Sequence, residues 1–174
     1  GSGGLGTVKA GEMLVPAAVA SGKYGNSIPF FGFERQGAPV TSYVRLGDEK
    51  IRPKNQVYHP NCTLVLDPSL LISAPVFDGL TENSYFIVNT KAENGADLVK
   101  NPNVKTVAWL DATSIALEML GRPITNTIML GAFVRATGWV DKDELEKVIC
   151  RFFGEKNVET FRRGYNEVKL YTFE

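Results

Sequence analysis

Apolar residues recur along this chain with two different periods. From Thr7 to Ser21, Val8, Met13, Leu14, Ala17, Ala18 and Ala20 fall mostly at helical spacing, Pro16 introduces a kink and Gly22 supplies a left-handed stop, which predicts a first helix. Tyr24 to Pro29 reads as a short strand leading into the aromatic turn Phe30-Phe31-Gly32-Phe33. Val40 to Leu46 sets Val40, Ser42, Val44 and Leu46 against Thr41, Tyr43 and Arg45, and Gly47-Asp48 makes a tight turn, so a hairpin with a brief return strand at residues 50–52 is expected. Cys62-Thr63-Leu64-Val65-Leu66-Asp67 is a continuous apolar run closed by an acid, the pattern of a central strand buried on both faces. Tyr85-Phe86-Ile87-Val88-Asn89-Thr90 and Thr106-Val107-Ala108-Trp109-Leu110-Asp111 repeat that design. Helical patterns follow: Thr113 to Leu120 stopping at Gly121, Asn126 to Thr137 stopping at Gly138, and Asp141 to Phe153 with an N-cap Asp and Glu144 three places on. Residues 128–134 are apolar nearly all round and must be buried, either centrally or against another subunit.

Strands separated by helices predict an α/β fold, an open and mostly parallel, Rossmann-like sheet with helices on both faces and a helical C-terminal segment. At 174 residues, with no linker-like composition shift, the chain reads as one domain. Three strands ending in Asp, Asn or Thr line polar groups along one sheet edge, where such sheets place their crevice, unless each end residue simply caps the turn or helix that follows. The 19 basic and 19 acidic residues cancel without long runs of either sign, which argues against nucleic acid or an acidic membrane as the main partner. Cys62 and Cys150 lack Cys-x-x-Cys spacing, so neither a disulfide framework nor a zinc or iron–sulfur site is expected. No stretch approaches about 18 continuous apolar residues and no secretory pattern opens the chain, so a soluble, cytoplasmic protein is expected.

The opening Gly1-Ser2-Gly3-Gly4-Leu5-Gly6-Thr7 runs straight into the first helix, bunching N–H groups at a helix N-terminus suited to an anion or a close-packed partner. A glycine loop of this kind normally follows a strand, so the first strand is expected ahead of residue 1; alternatively the glycines are a linker scar. Gly1, Gly3 and Gly6 fit G-x-G-x-x-G, but the acid needed about 20 residues on is absent, and no Gly-Lys-Ser/Thr follows, which argues against NAD or FAD binding and excludes a nucleotide-hydrolysing loop. The single histidine, His59, stands beside Pro60 in a loop, and no Gly-x-Ser-x-Gly elbow occurs. Arg35, in Phe33-Glu34-Arg35-Gln36-Gly37-Ala38-Pro39, either forks onto a phosphate at the crevice or is simply solvated or paired with Glu34. Phe30, Phe31 and Phe33 are too apolar to stand exposed together and point to core packing or a subunit interface.

Taken in order, the glycine loop, the Arg35 loop, Asn89-Thr90, Asp111-Ala112-Thr113, Gly121-Arg122-Pro123-Ile124-Thr125-Asn126-Thr127, Leu130-Gly131-Ala132 and Phe161-Arg162-Arg163-Gly164-Tyr165 resemble the γ subunit, or γ domain, of the 2-oxoacid:ferredoxin oxidoreductases. The resemblance implies a complex that decarboxylates a 2-oxoacid on thiamine diphosphate with Mg, sends electrons through [4Fe–4S] clusters to ferredoxin, and usually passes the acyl group to coenzyme A. It further implies alpha, beta and delta subunits as partners, and for this chain a non-catalytic, ligand-facing role. The cofactor-facing positions it implies are Gly3, Gly4, Gly6, Thr7, Arg35 and Asn126. Leu5 stands where relatives commonly have Gln, which removes one side-chain hydrogen bond but leaves the backbone donors.

Overall fold

The continuous apolar runs assemble into a four-stranded sheet of order β3-β4-β5-β6, in a computed structural model that describes residues 1, 6–31 and 39–174. β3 (Cys62–Val65), β4 (Ser84–Asn89) and β5 (Val104–Leu110) are parallel, and β6 (Lys169–Thr172) is added antiparallel to β5. The register sets Cys62 opposite Tyr85 and Tyr85 opposite Thr106. β4 and β5 are covered on both faces, which is why their sequences are apolar without alternation.

On one face Ile87, Ala108 and Leu110 meet the main core, built by α1 (Thr7–Ala20), α3 (Ala112–Leu120), α4 (Asn126–Thr137), α5 (Lys142–Phe153) and α6 (Glu155–Glu167). On the other face Phe86, Val88, Val107 and Trp109 pack against Leu80, Leu70 of the short helix α2 (Leu70–Ser73), and Ala96 and Leu98 of a 3₁₀ turn at Gly95–Leu98. Phe77 stacks on Phe86 with ring centroids 4.5 Å apart. The mostly parallel α/β plan expected from the pattern is therefore the one observed.

α4 runs through the main core with every residue from Asn126 to Val134 buried, the structural reason for its all-round apolar sequence. It packs on α6 at close range: a Cβ on Gly164 would overlap the Ile128 carbonyl, and one on Gly131 would overlap the Phe161 carbonyl. Inside that contact the Thr127 and Thr160 hydroxyls share a buried hydrogen bond of 2.6 Å. α5 starts as its sequence demands, with Asp141 accepting from the Glu144 N–H at 2.9 Å.

Three details depart from the sequence pattern. β2 (Val40–Gly47) pairs antiparallel with β1 (Tyr24–Phe31) as a separate two-stranded sheet, and residues 50–52 form no strand. The physical reason is partner length: β1 matches all eight residues of β2, from Tyr24 opposite Gly47 to Phe31 opposite Val40, whereas residues 50–52 run into Pro53, which has no N–H to give. Residues 53–56 are instead held as a loop by Asn26 Nδ2 donating to the Pro53 carbonyl and by the Arg45 guanidinium on the carbonyls of Asn55 and Gln56. Phe30 and Phe31 belong to β1 rather than to a turn, while Gly32 and Phe33 lie outside the described residues. Finally, β3 is the outermost strand of its sheet among the described residues, not a central one.

Candidate functional site

Gly6 is the residue before α1 and adopts φ +82°, a left-handed conformation that favours glycine. The space a Cβ would need there is already filled by the side chain of Asn126. Asn126, 1% exposed at the start of α4, donates from Nδ2 to the Gly6 carbonyl at 3.3 Å and accepts the Thr127 N–H on Oδ1 at 2.9 Å. An amide 120 residues downstream thus holds the turn that opens α1. Thr7 follows with its Oγ1 buried and, among the described residues, without a hydrogen-bond partner. Gly1 lies against that hydroxyl and exchanges backbone hydrogen bonds with Val40, of 2.9 and 2.6 Å.

Of the six positions singled out from the sequence, the structure brings Gly6, Thr7 and Asn126 together; Gly3, Gly4 and Arg35 lie outside the described residues. Asn126 touches Gly6 directly, so its first physical role is to shape the turn.

The polar strand ends are spent on local structure. Asp67 accepts the N–H and hydroxyl of Ser69, and Asp111 caps α3 by accepting from the Ser114 N–H at 3.1 Å. Asn89 does more: buried to 1% exposure, it donates to the Leu66 carbonyl at 2.9 Å and to Thr113 Oγ1 at 2.8 Å, and accepts the Ala112 N–H at 2.9 Å. It ties the end of β3 to β4 and to the start of α3. An Asn closing an otherwise apolar strand is the visible signal for that role, but its partners lie in two segments each more than 20 residues away, Leu66 on one side and Ala112-Thr113 on the other.

A cleft of about 740 Å³ opens beside Thr7, between β2 and β3, over Ala10, Gly11 and Leu14 of α1. Cys62 lines it, and burial pushes its thiol up to about 12, so it is no nucleophile at neutral pH. His59 stands exposed at the rim. Among the described residues no three His, Cys, Asp or Glu side chains converge as a metal site would require, and no helix is long and apolar enough to cross a membrane.

Fold and site together define an α/β domain that offers a glycine turn and helix N-terminus at the crevice of its sheet. Residues 1–167 match the model of the family described as pyruvate ferredoxin/flavodoxin oxidoreductase, and the chain belongs to that family. It is 46% identical over 173 residues to the pyruvate synthase subunit PorC of Methanothermobacter marburgensis, covering 97% of this chain and 94% of that protein. It is 42% identical to the gamma subunit of the NADH-dependent phenylglyoxylate dehydrogenase of Aromatoleum evansii, covering 100% of this chain and 94% of the relative. Among solved structures, the pyruvate oxidoreductase subunit PORC of Thermotoga maritima superposes with a TM-score of 0.84 at 38% identity, over 98% of this chain and 94% of that one.

Proposed function

We propose that this chain is the gamma subunit of a cytoplasmic 2-oxoacid:ferredoxin oxidoreductase, and that its glycine turn faces coenzyme A. The observation that carries the reading is the end-to-end similarity to proteins named as PorC or gamma subunits, across an archaeal pyruvate synthase and a bacterial phenylglyoxylate dehydrogenase. The chain's own donors fit a supporting role. Two cysteines cannot supply the four thiolates of a [4Fe–4S] cluster, and Gly-Asp-Gly, the thiamine diphosphate motif, does not occur, so the decarboxylation and electron-transfer groups, with their Mg, belong to the alpha, beta and delta subunits. Ferredoxin and the 2-oxoacid meet the assembly there, and the isolated chain is inactive. Phe30 and Phe31, both exposed at the end of β1, suit a contact between subunits.

For coenzyme A the fit is to its phosphates: the start of α1, with Gly6, the Thr7 hydroxyl and Asn126 holding the turn in shape, offers N–H donors, and Gly3, Gly4 and Arg35, which lie outside the described residues, are the further positions that the family resemblance implies. In the assembled enzyme, Arg35→Ala is expected to raise KM for coenzyme A by about 10- to 100-fold, a charged hydrogen bond being worth about 1.5–3 kcal/mol, while KM for the 2-oxoacid stays unchanged. Steady-state kinetics with each substrate varied in turn checks this, and an unaltered coenzyme A dependence overturns it.

A further inference from the structure

The outer edges of β1 and β6 carry no partner strand among the described residues, and the two edges are built differently. Along a strand the backbone polar groups of successive residues point alternately to its two sides. Val40 spends its own on Gly1, so its neighbour across the ladder, Phe31, also turns away from β2, and Pro29, two residues back, does the same. A residue without an N–H therefore interrupts the outer ladder of β1, a device that keeps a further strand from adding there. β6 has no such guard. The Phe173 N–H donates to the Lys105 carbonyl, which with the register commits Lys169 and Tyr171 to β5 and leaves the N–H and C=O groups of Leu170 and Thr172 turned outward. No proline or bulge breaks this edge, and Leu170 and Tyr171 are 43% and 49% exposed. A full set of backbone donors and acceptors thus lies open beside apolar side chains.

We propose that β6 pairs with β6 of a second copy of this chain, antiparallel about a two-fold axis at Tyr171, merging the two four-stranded sheets into one. What selects a second copy is the self-complementarity of Lys169-Leu170-Tyr171-Thr172-Phe173. Set against its own reverse, Leu170 meets Thr172 in hydrogen-bonded pairs, Tyr171 meets Tyr171 in the closer, non-hydrogen-bonded kind, and Lys169 meets Phe173. Within one chain Tyr171 already stands edge-on to Phe173, with ring centroids 5.1 Å apart. The axis joins that ring pair to its copy and sets each Lys169 beside the other strand's Phe173, a cation against an aromatic ring. Charge fixes the direction. An in-register parallel pair would oppose Lys169 to Lys169, whereas the antiparallel one brings Lys169 of each strand to the end where the other carries Glu174. Pairing of this kind uses the same surface on both copies and closes on itself, so it stops at a dimer. The contact is short, which places association of the free chain in the weak range, with Kd at about 10 µM to 1 mM. The inference does not rest on the functional reading above.

Sedimentation equilibrium of the full chain over that concentration range tests this, and a monomer–dimer equilibrium is expected. Thr172→Pro removes an outward N–H without touching a bond to β5, and Tyr171→Lys places like charges directly across the axis. Each is expected to weaken dimerisation at least ~10-fold with the circular dichroism spectrum unchanged, and the second serves should the first fail to fold. A chain that stays monomeric up to ~1 mM overturns the proposal, as does a dimer that the folded variants leave intact. On a Cys150→Ala background, which removes the exposed end of α5 as a source of thiol, Tyr171→Cys is expected to form a disulfide between copies. Leu170→Cys and Thr172→Cys are expected not to, because each lies opposite the other residue and not opposite itself. Cross-linking at 170 or 172 in place of 171 refutes the axis and the pairing with it.

Discussion

Two buried asparagines do much of the long-range organisation in this domain. Asn89 has no spare hydrogen-bonding capacity, since each of its amide atoms is engaged with β3, α3 or Thr113. Removing it strands the Ala112 N–H in the interior and leaves the Leu66 carbonyl only the longer 3.4 Å hydrogen bond from Thr125 Oγ1, at about 1–3 kcal/mol for a group left unsatisfied. Asn89→Ala is therefore expected to lower stability by about 2–4 kcal/mol, read as a drop in urea midpoint at constant slope. Asn126 differs, because its Nδ2 supports a left-handed glycine turn rather than a strand end. The glycine loop and Asn126 could both be singled out as residues, Gly6 and Thr7 by their spacing before a helix. Their meeting could not, because nothing local to either segment encodes a contact across 120 residues.

Helices and strands with strong periodicity were legible to within a residue or two, and the failures have specific causes. α1, α4 and α5 match their apolar stripes and caps, with Asp141 and Gly138 marking ends as their chemistry requires. α6 was visible only as the fragment Phe161-Arg162-Arg163-Gly164-Tyr165, because Gly164 weakens a helix by about 1 kcal/mol on its own and is justified only by the backbone of α4 passing against it. The pattern around Gly47-Asp48 points to a return strand at residues 50–52, because that dipeptide is a good turn whichever strand comes to pair, and the observed partner of β2 is β1. α5 and α6 are also tied by charge. Glu146 accepts from Arg162 in a two-pronged pair at 3.0 and 3.1 Å and from Lys142 at 2.9 Å, and Arg162 first, then Lys142, holds its carboxyl below the usual glutamate range. A carboxyl depressed in the folded state adds stability above its unfolded pKa and loses it as pH falls through the folded one. Glu146→Gln should therefore cost about 0.2–1 kcal/mol at pH 7, the screened value for a pair open to solvent, and the difference from the parent should shrink as pH drops below about 4. Thermal unfolding of both proteins across that pH range checks the sign.

At the scale of the whole molecule, the sheet's layering followed from three apolar runs, while its edges did not. β6 is exposed along its length and carries little hydrophobic signal, yet it completes the sheet because the Phe173 N–H donates to Lys105 and the Phe173 side chain packs on the second core. The opening third of the chain depends on distant elements throughout: Gly6 on Asn126, and Lys23, whose Nζ donates to the Trp139 carbonyl at 2.8 Å. Ribosomes deliver those partners late. At about 5–20 residues per second, the glycine turn leaves synthesis roughly 6–24 s before the asparagine that locks it, and must wait unshaped in the nascent polypeptide. A chain arrested ahead of residue 126 should accordingly be cut by protease around Gly6, whereas the completed chain, with α5 and α6 packed on α1 and α4, should resist, making translation order, rather than local preference, the clock for this domain's glycine turn.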